Sequence, residues 1–257
     1  MSATTLRSAS MPPMNAPNRT GAADRIQGAS LMLLAAAITM LIWSGRYLSY
    51  VTPRSIPYLV VAVATLAVFA VAAWCGVFHC TMATLYRTLL VVIAPMLLMV
   101  LPLDAGSGTM GGTNRAIAIS TTATSEPAGL NHAAKTITIA DDDFGAWFDR
   151  IDHDPGRYAG YTVIVTGFVS IDSSMAPHQF GADRMLMTCC VLDMTGFGFA
   201  VQTNEAALPR ENSWVTVRGT VARGRIGTAD HGYDGIVLTA TSITPSDTAP
   251  SGYFYRS

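Results

Sequence analysis

Charge is what this chain of 257 residues has least of. Asp, Glu, Lys and Arg make up 13% of it and hydrophobic residues 50%, whereas an ordinary soluble protein carries about 25% charged residues. A mean hydropathy of +0.35 excludes a disordered polar chain and argues against a plain cytosolic enzyme. Acid is nearly missing from the first 103 positions, where Asp24 stands alone beside six arginines. Residues 104–257 reverse the balance, with sixteen acidic against ten basic side chains. The sizeable folded part is therefore acidic, which excludes nucleic acid as a partner. Cysteine is scarce too, and four in the whole chain exclude a disulfide-dense secreted scaffold. No Gly-rich phosphate loop, serine nucleophile elbow, HExxH or CxxC occurs, so nothing marks the chain as an enzyme. It reads as a non-enzymatic protein.

The apolar half reads as membrane helices. Residues 1–25 are rich in Ser, Thr, Ala, Pro and Asn without apolar periodicity and predict a disordered tail. Residues 26–103 predict three spans, at about 29–51, 56–78 and 86–103. The first follows a long tail and runs into Ser-Gly-Arg-Tyr-Leu rather than a small-x-small cleavage site, which favours a retained helix over a signal peptide. The second, Ile56–Phe78, holds no charge and is long enough to cross a core of about 30 Å at about 1.5 Å per residue. The third carries Pro95 and Pro102. Neighbouring helices can re-satisfy the freed carbonyls, with Arg87 snorkelling; a re-entrant segment is the alternative. Arg7, Arg19, Arg25 and Arg87 fall on one side against Arg46, Arg54 and Arg115 on the other. That count predicts a multi-pass cell-membrane protein with its N-terminus inside and its C-terminal domain outside the cytoplasm.

Residues 104–135, rich in Gly, Ser, Thr and Ala, predict a flexible tether, and residues 136–257 a folded domain. Asp141-Asp142-Asp143 precede apolar residues at 144, 147, 148 and 151, the spacing of a short amphipathic helix capped by one of the aspartates. Runs at Tyr161–Ile171, Arg184–Leu192, Phe197–Thr203, Trp214–Ala222 and Ile236–Ile243 predict five strands. Gly167 and Gly219 sit inside two of them and mark bulges or bends. The fold class expected is helical spans followed by an all-β, OB-like five-stranded barrel with one short helix, or failing that a small sandwich.

One constellation extends the reading. Gly160-Tyr161…Gly167-Phe168-Val169, then Arg184…Met187-Thr188-Cys189-Cys190…Asp193, then Trp214-Val215…Val217…Gly219 and Pro250…Tyr253-Phe254-Tyr255 resemble the YcgQ-type family. These are bacterial membrane proteins described as permease subunits, with N-terminal helices and a C-terminal domain of unknown function. The resemblance implies a larger multi-pass permease as partner and a connection to metal or metalloid handling. The sequence departs from the family in the loop HCTMATLYR, where only His79 stands where some members are histidine-rich.

Cys189 and Cys190 are the informative pair. On a strand, neighbours point to opposite faces, so Cys189 is expected inside and Cys190 outside. The pair could serve a soft metal or metalloid as thiolate ligands or form a redox site; otherwise they are one buried small hydrophobe and an incidental thiol. Arg184 and Asp193 bracket them, able to tune a thiol or add a ligand, and otherwise form an ion pair at the strand end. His178 lies on the preceding loop as a further candidate metal ligand. Cys75, His79 and Cys80 end the second span, where i, i+4 spacing could hold a soft cation. Asp152-His153-Asp154 and Asp230-His231…Asp234 read as solvated loops. The leading expectation is a membrane accessory subunit acting by binding a partner or ligand. The alternative is a membrane-anchored redox or soft-metal-binding protein using Cys189 and Cys190.

Overall fold

The computed structural model describes residues 20–77, 81–100, 115–119, 125–205 and 207–256. Contacts divide them into two units, one built from the helices and one from the C-terminal domain together with residues 40–59.

Three helices occupy the apolar half: α1 (Thr20–Trp43), α2 (Ile56–Trp74) and α3 (Met82–Val100). Two stretches, Gly21–Trp43 and Pro53–Trp74, are long and apolar enough to cross a membrane; α3 offers only the shorter Ala83–Leu97. Val60, Val61, Val68 and Trp74 of α2 are exposed. Helix α1 begins at Thr20, so residues 20–25 extend it rather than belonging to the expected tail, and residues 1–19 lie outside those described. It ends at Trp43, well short of the expected Val51, because Gly45 takes φ 71° and turns the chain into a 3-10 turn at Arg46–Ser49. Gly76, also at φ 71°, stands just past α2 in the same way, since only glycine adopts this conformation without steric cost. Within the helical unit α1 and α2 approach closely at Gly28. A Cβ there would lie 2.9 Å from the Ala70 carbonyl oxygen and 3.6 Å from Ala73 Cβ, the small-residue contact by which helices associate in lipid.

The C-terminal domain is a mostly-β unit whose helix α4 (Phe144–His153) and strands β4 (Thr162–Ser170), β6 (Thr195–Gln202), β7 (Trp214–Ile226) and β8 (Tyr233–Pro245) lie where the apolar periodicity predicts them. Strand β5 differs. It spans Gln179–Leu186 and stops before the cysteines. The ring runs β4–β5–β6–β8–β7 and returns to β4. All its pairs are antiparallel except β6 with β8. Closure depends on β4 serving two partners, β7 over Thr162–Phe168 and β5 over Phe168–Ser170. The switch needs Gly167, where a Cβ would lie 2.7 Å from the Ala182 carbonyl carbon. At Gly219 the β7–β8 register shifts and Thr241 drops out of the ladder, the bulge expected of a strand that bends.

Four short strands extend the ring. β1 (Ala116–Ile119) pairs in parallel with β9 (Tyr253–Arg256). β2 (Leu130–Asn131) pairs with β3 (Thr136–Thr138), which runs parallel to β4. The tether expected over 104–135 therefore contains two strands and packed chain. Trp147 Nε1 donates to the Ala128 carbonyl at 2.9 Å and Arg150 Nη2 to that of Ser125 at 2.9 Å. The core joins Phe144, Trp147 and Ile151 of α4 to Val163, Phe180, Phe199, Val217 and Leu238 of the ring. Asp143 holds the N-cap position of α4 without a side-chain cap bond. The expected aspartate cap bond is absent: Asp143 has near-helical angles, φ −90° and ψ −1°, rather than the extended ones of a capping residue, while Asp141 and Asp142 face Arg184 and Arg115.

One ionisable group on β5, Asp183, has no basic partner among the described residues. Asp183 accepts a hydrogen bond from Ser170 Oγ at 2.5 Å, and burial pushes its pKa from 3.8 up to about 6. The folded state therefore holds an extra proton between about pH 4 and 6, and stability should fall as pH rises through that window. Asp183→Asn should flatten the dependence and raise stability at pH 7 by on the order of 2 kcal/mol, read by thermal unfolding of the detergent-solubilised chain. In the helical unit, Gly28→Leu should destabilise by about 1–3 kcal/mol through overpacking. Gly21→Leu should not, since nothing lies within 4 Å of a Cβ at Gly21.

Candidate functional site at the cysteine turn

Past β5 the chain forms a turn built around one carboxylate. Asp193 Oδ1 accepts the Thr188 N–H at 3.0 Å, while Oδ2 accepts those of Cys189 at 2.7 Å and Cys190 at 3.3 Å. Three successive amides aimed at one anion form a backbone nest. The Cys189 thiol also bonds to Asp193, and together these bonds hold the carboxylate below its usual range. Cys190 is the N-cap of a 3-10 turn at Val191–Asp193, where its side chain and the Asp193 side chain bond reciprocally to each other's backbone.

This geometry corrects the strand expected over Arg184–Leu192. The ladder ends at Leu186 because the Met187 N–H bonds to the Phe254 carbonyl at 2.9 Å and the next three amides turn to Asp193. Strand alternation therefore does not apply to the cysteines. Met187 is fully buried, Cys189 exposed and Cys190 half-buried, so the expected inward Cys189 is reversed. Sγ of Cys189, Sγ of Cys190 and a carboxylate oxygen of Asp193 all lie within 4.8 Å of one another. Two soft sulfur donors at that spacing fit a soft metal or metalloid, whose bonds to sulfur are about 2.3 Å for zinc. Asp193 contributes less, since three amides and the Cys189 thiol already bond to its two oxygens. The bond to Asp193 and then that to Cys190 push the Cys189 thiol up to about 12, so the resting turn holds protonated sulfur rather than an activated thiolate.

The turn is backed by a segment that sequence patterning did not connect with it. Val191 N–H donates to the Tyr50 carbonyl at 2.8 Å and Thr52 N–H to that of Cys189 at 3.2 Å, with Val51 bridged to Cys190. The Tyr253 hydroxyl donates to the Val51 carbonyl at 3.3 Å. The loop between α1 and α2 thus forms a miniature sheet with the cysteine turn.

Other expected site residues lie elsewhere. Arg184 is 2% exposed, where neither a metal nor a thiol needs it. Its guanidinium stacks 5.4 Å from the Phe144 and Trp214 ring centres and 5.9 Å from that of Phe254. It donates to the Thr166 carbonyl at 3.2 Å and faces Asp141 at 3.5 Å. Its partner is therefore Asp141 rather than Asp193. His178 precedes β5, at the end opposite the cysteine turn; it has φ 63° and its Nδ1 lies 3.1 Å from the Glu205 carbonyl. It is not part of the cysteine group, since eight residues of extended chain separate them by roughly 25 Å. Cys75 is exposed, and His79 and Cys80 lie outside the described residues. Asp152 and His153 belong to α4, and Asp154 caps a short helix α5 (Pro155–Tyr158) by accepting the Arg157 N–H.

The profile of the DUF1980 C-terminal domain matches residues 118–256. The chain belongs to the DUF1980 C-terminal domain family. The UPF0703 protein YcgQ of Bacillus subtilis (strain 168) is 26% identical over 88 residues, which are 34% of this chain and 31% of that relative. The match thus spans under a third of the relative's length. Among solved structures, a small single-stranded DNA-binding protein from Streptomyces coelicolor matches 34% of the chain and 95% of its own, at 13% identity and a TM-score of 0.21. The mitochondrial single-stranded DNA-binding protein Rim1 of S. cerevisiae matches 34% and 94%, at 12% identity and a TM-score of 0.20. The DUF1980 match covers the whole ring, α4 and the cysteine turn.

Two outcomes follow from the turn and the buried arginine. Asp193→Asn should raise the iodoacetamide alkylation rate of Cys189 at pH 8 by about tenfold or more, because the carboxylate that opposes the thiolate is gone; mass spectrometry of the labelled peptide reads it. Arg184→Ala should cost about 2–4 kcal/mol of stability through the cavity and lost ring contacts, while Arg184→Met, which keeps the volume, should cost less than half of that.

Proposed function

We propose that this protein is a membrane-anchored accessory subunit whose C-terminal domain, an OB-like barrel, works by binding at the outer membrane surface and pairs with a larger multi-pass permease. The observation that carries the reading is the bonding of the α1–α2 loop to the cysteine turn. A loop between two spans that bonds to the domain lies on the domain's side of the bilayer. The chain between Ile56 and the domain then crosses an even number of times, and α2 with α3 supply two crossings. With α1 this makes three spans, and the arginine distribution favours the N-terminus inside. Leu192, 93% exposed at the tip of the turn, and Trp43, 91% exposed at the end of α1, are side chains suited to the interfacial zone, with Tyr47 and Tyr50 between the helices completing an aromatic belt.

The OB-like reading rests on five strands closing in Greek-key order, with the bulge at Gly219 and the switch at Gly167 bending the sheet. The permease partnership rests on the YcgQ-type resemblance. A second reading, soft-metal or metalloid capture or a redox role at Cys189 and Cys190, is favoured by the compact trio they form with Asp193. If a metal is bound there, the two sulfurs would hold it and Asp193 would keep the turn in shape. The ion would supply a soft-acid centre at the membrane face.

Three measurements test these readings. Val51→Cys should form a disulfide with Cys190 on mild oxidation in membranes, since bridged residues sit about 4.5–5.5 Å apart; failure to cross-link would remove the loop contact and the topology built on it. Alkaline phosphatase fused after Ser257 should be active, and activity of a cytoplasm-only reporter there would reverse the orientation. Thiol titration with and without Zn(II) or As(III) should show protection of both cysteines if the second reading holds, and unchanged titration ends it.

A further inference from the structure

A cleft of about 350 Å3 opens on the ring beside the seam between β6 and β8. The seam exists because these strands pair only at Ala200–Gln202 with Val237–Thr239, leaving the earlier parts of both to diverge. Asp152, Asp183 and Asp234 line the cleft together with Phe148, Phe197 and Tyr233, and among the described residues no lysine, arginine or histidine lines it. Arg225 stands opposite Asp234 in the β7–β8 register but sends its Nη2 to the Ala229 carbonyl at 2.8 Å.

The wall around Asp183 is glycine. A Cβ at Gly198 or Gly181 would lie 2.7 or 2.8 Å from Asp183 Oδ1, and one at Gly196 3.1 Å from Oδ2. The carboxylate is thus cradled by backbone, with Ser170 beside it. Phe148 and Phe197 meet edge to face at 5.4 Å, giving an aromatic wall, and Tyr233 is 64% exposed at the rim. The three carboxylates are too dispersed for a compact metal ion: among the described residues, the ligand group within 4.8 Å is the cysteine turn. A larger, softer charge suits an acidic cleft with aromatic walls. The net charge of −6 over residues 104–257 attracts cations and repels phosphate and carboxylate ligands.

We propose that this cleft binds an organic cation, an alkylammonium or guanidinium group, with Asp183 as its counter-ion and Phe148, Phe197 and Tyr233 as its aromatic wall. The same chemistry arrives on a free small cation or on a lysine or arginine side chain of a polypeptide. The site is independent of the cysteine turn and of the membrane topology. It also accounts for a half-buried acid with no basic partner among the described residues, because the ligand supplies that charge.

The test uses the full chain in nanodiscs, titrated by saturation-transfer NMR with methylguanidinium, n-butylammonium, butyrate and a blocked Gly-Arg-Gly peptide. The two cations are expected to bind and butyrate not to. Asp183→Asn should weaken cation binding by about tenfold or more, and Tyr233→Ala by about threefold. Thermal unfolding of Asp183→Asn, run beside the titration, separates loss of binding from loss of fold. A peptide about tenfold tighter than methylguanidinium identifies a polypeptide side chain as the source, and one of equal or weaker affinity a free cation. Butyrate binding as well as n-butylammonium, or unchanged affinity in Asp183→Asn, overturns the proposal.

Discussion

A single buried guanidinium ties the domain together. Arg184 leaves β5 and meets the Thr166 carbonyl on β4, Asp141 ahead of α4, and the rings of Phe144, Trp214 and Phe254 on α4, β7 and β9. A guanidinium taken out of water is costly unless its charge and donors are met. Here three aromatic rings, two carbonyls and a carboxylate meet them at once. The arrangement therefore depends on all five elements being in place together. Burial lowers its pKa while Asp141 opposes that shift.

From that hub β5 runs out to Leu186, and the cysteine turn begins where the ladder ends. Asp193 organises the turn by collecting three amides, and the α1–α2 loop closes over its back. The two cysteines thus gain a shape that no strand would give them: adjacent in sequence, on the same side of one carboxylate, and within ligand distance of each other. Asp193 that shapes the turn also keeps Cys189 protonated. Any soft ion captured there has to displace that proton, which makes capture stronger at higher pH.

Much of the fold was legible in the sequence, for physical reasons that differ by element. β4, β6, β7 and β8 announce themselves because one face is buried and alternation at period two follows. Helix α4 is as plain, since Phe144, Trp147 and Ile151 repeat at helical spacing. The four short strands were not legible: Ala116–Ile119 and Tyr253–Arg256 are too brief to show a period and are strands only because they pair with each other. Asp183 was missed as well. An acid directly before an arginine carries no distinct signal in the sequence, and only the packing against Gly181, Gly196 and Gly198 shows it cradled by backbone.

The sequence by itself determined the division into an apolar half and an acidic domain, because solvent preference is a sum over local composition and needs no contacts. It likewise determined most of the ring's strands and the vicinal cysteines. Only the tertiary structure decided which groups share a site. Asp193 folds back four residues onto Cys189, whereas Tyr50 and Val51 reach Val191 and Cys190 from about 140 positions away. Arg184 leaves the cysteines for three rings, and His178 is carried to the far end of β5. Such choices depend on where hydrogen-bond ladders stop and on which buried charge finds a partner, and both are settled by packing between segments distant in the chain.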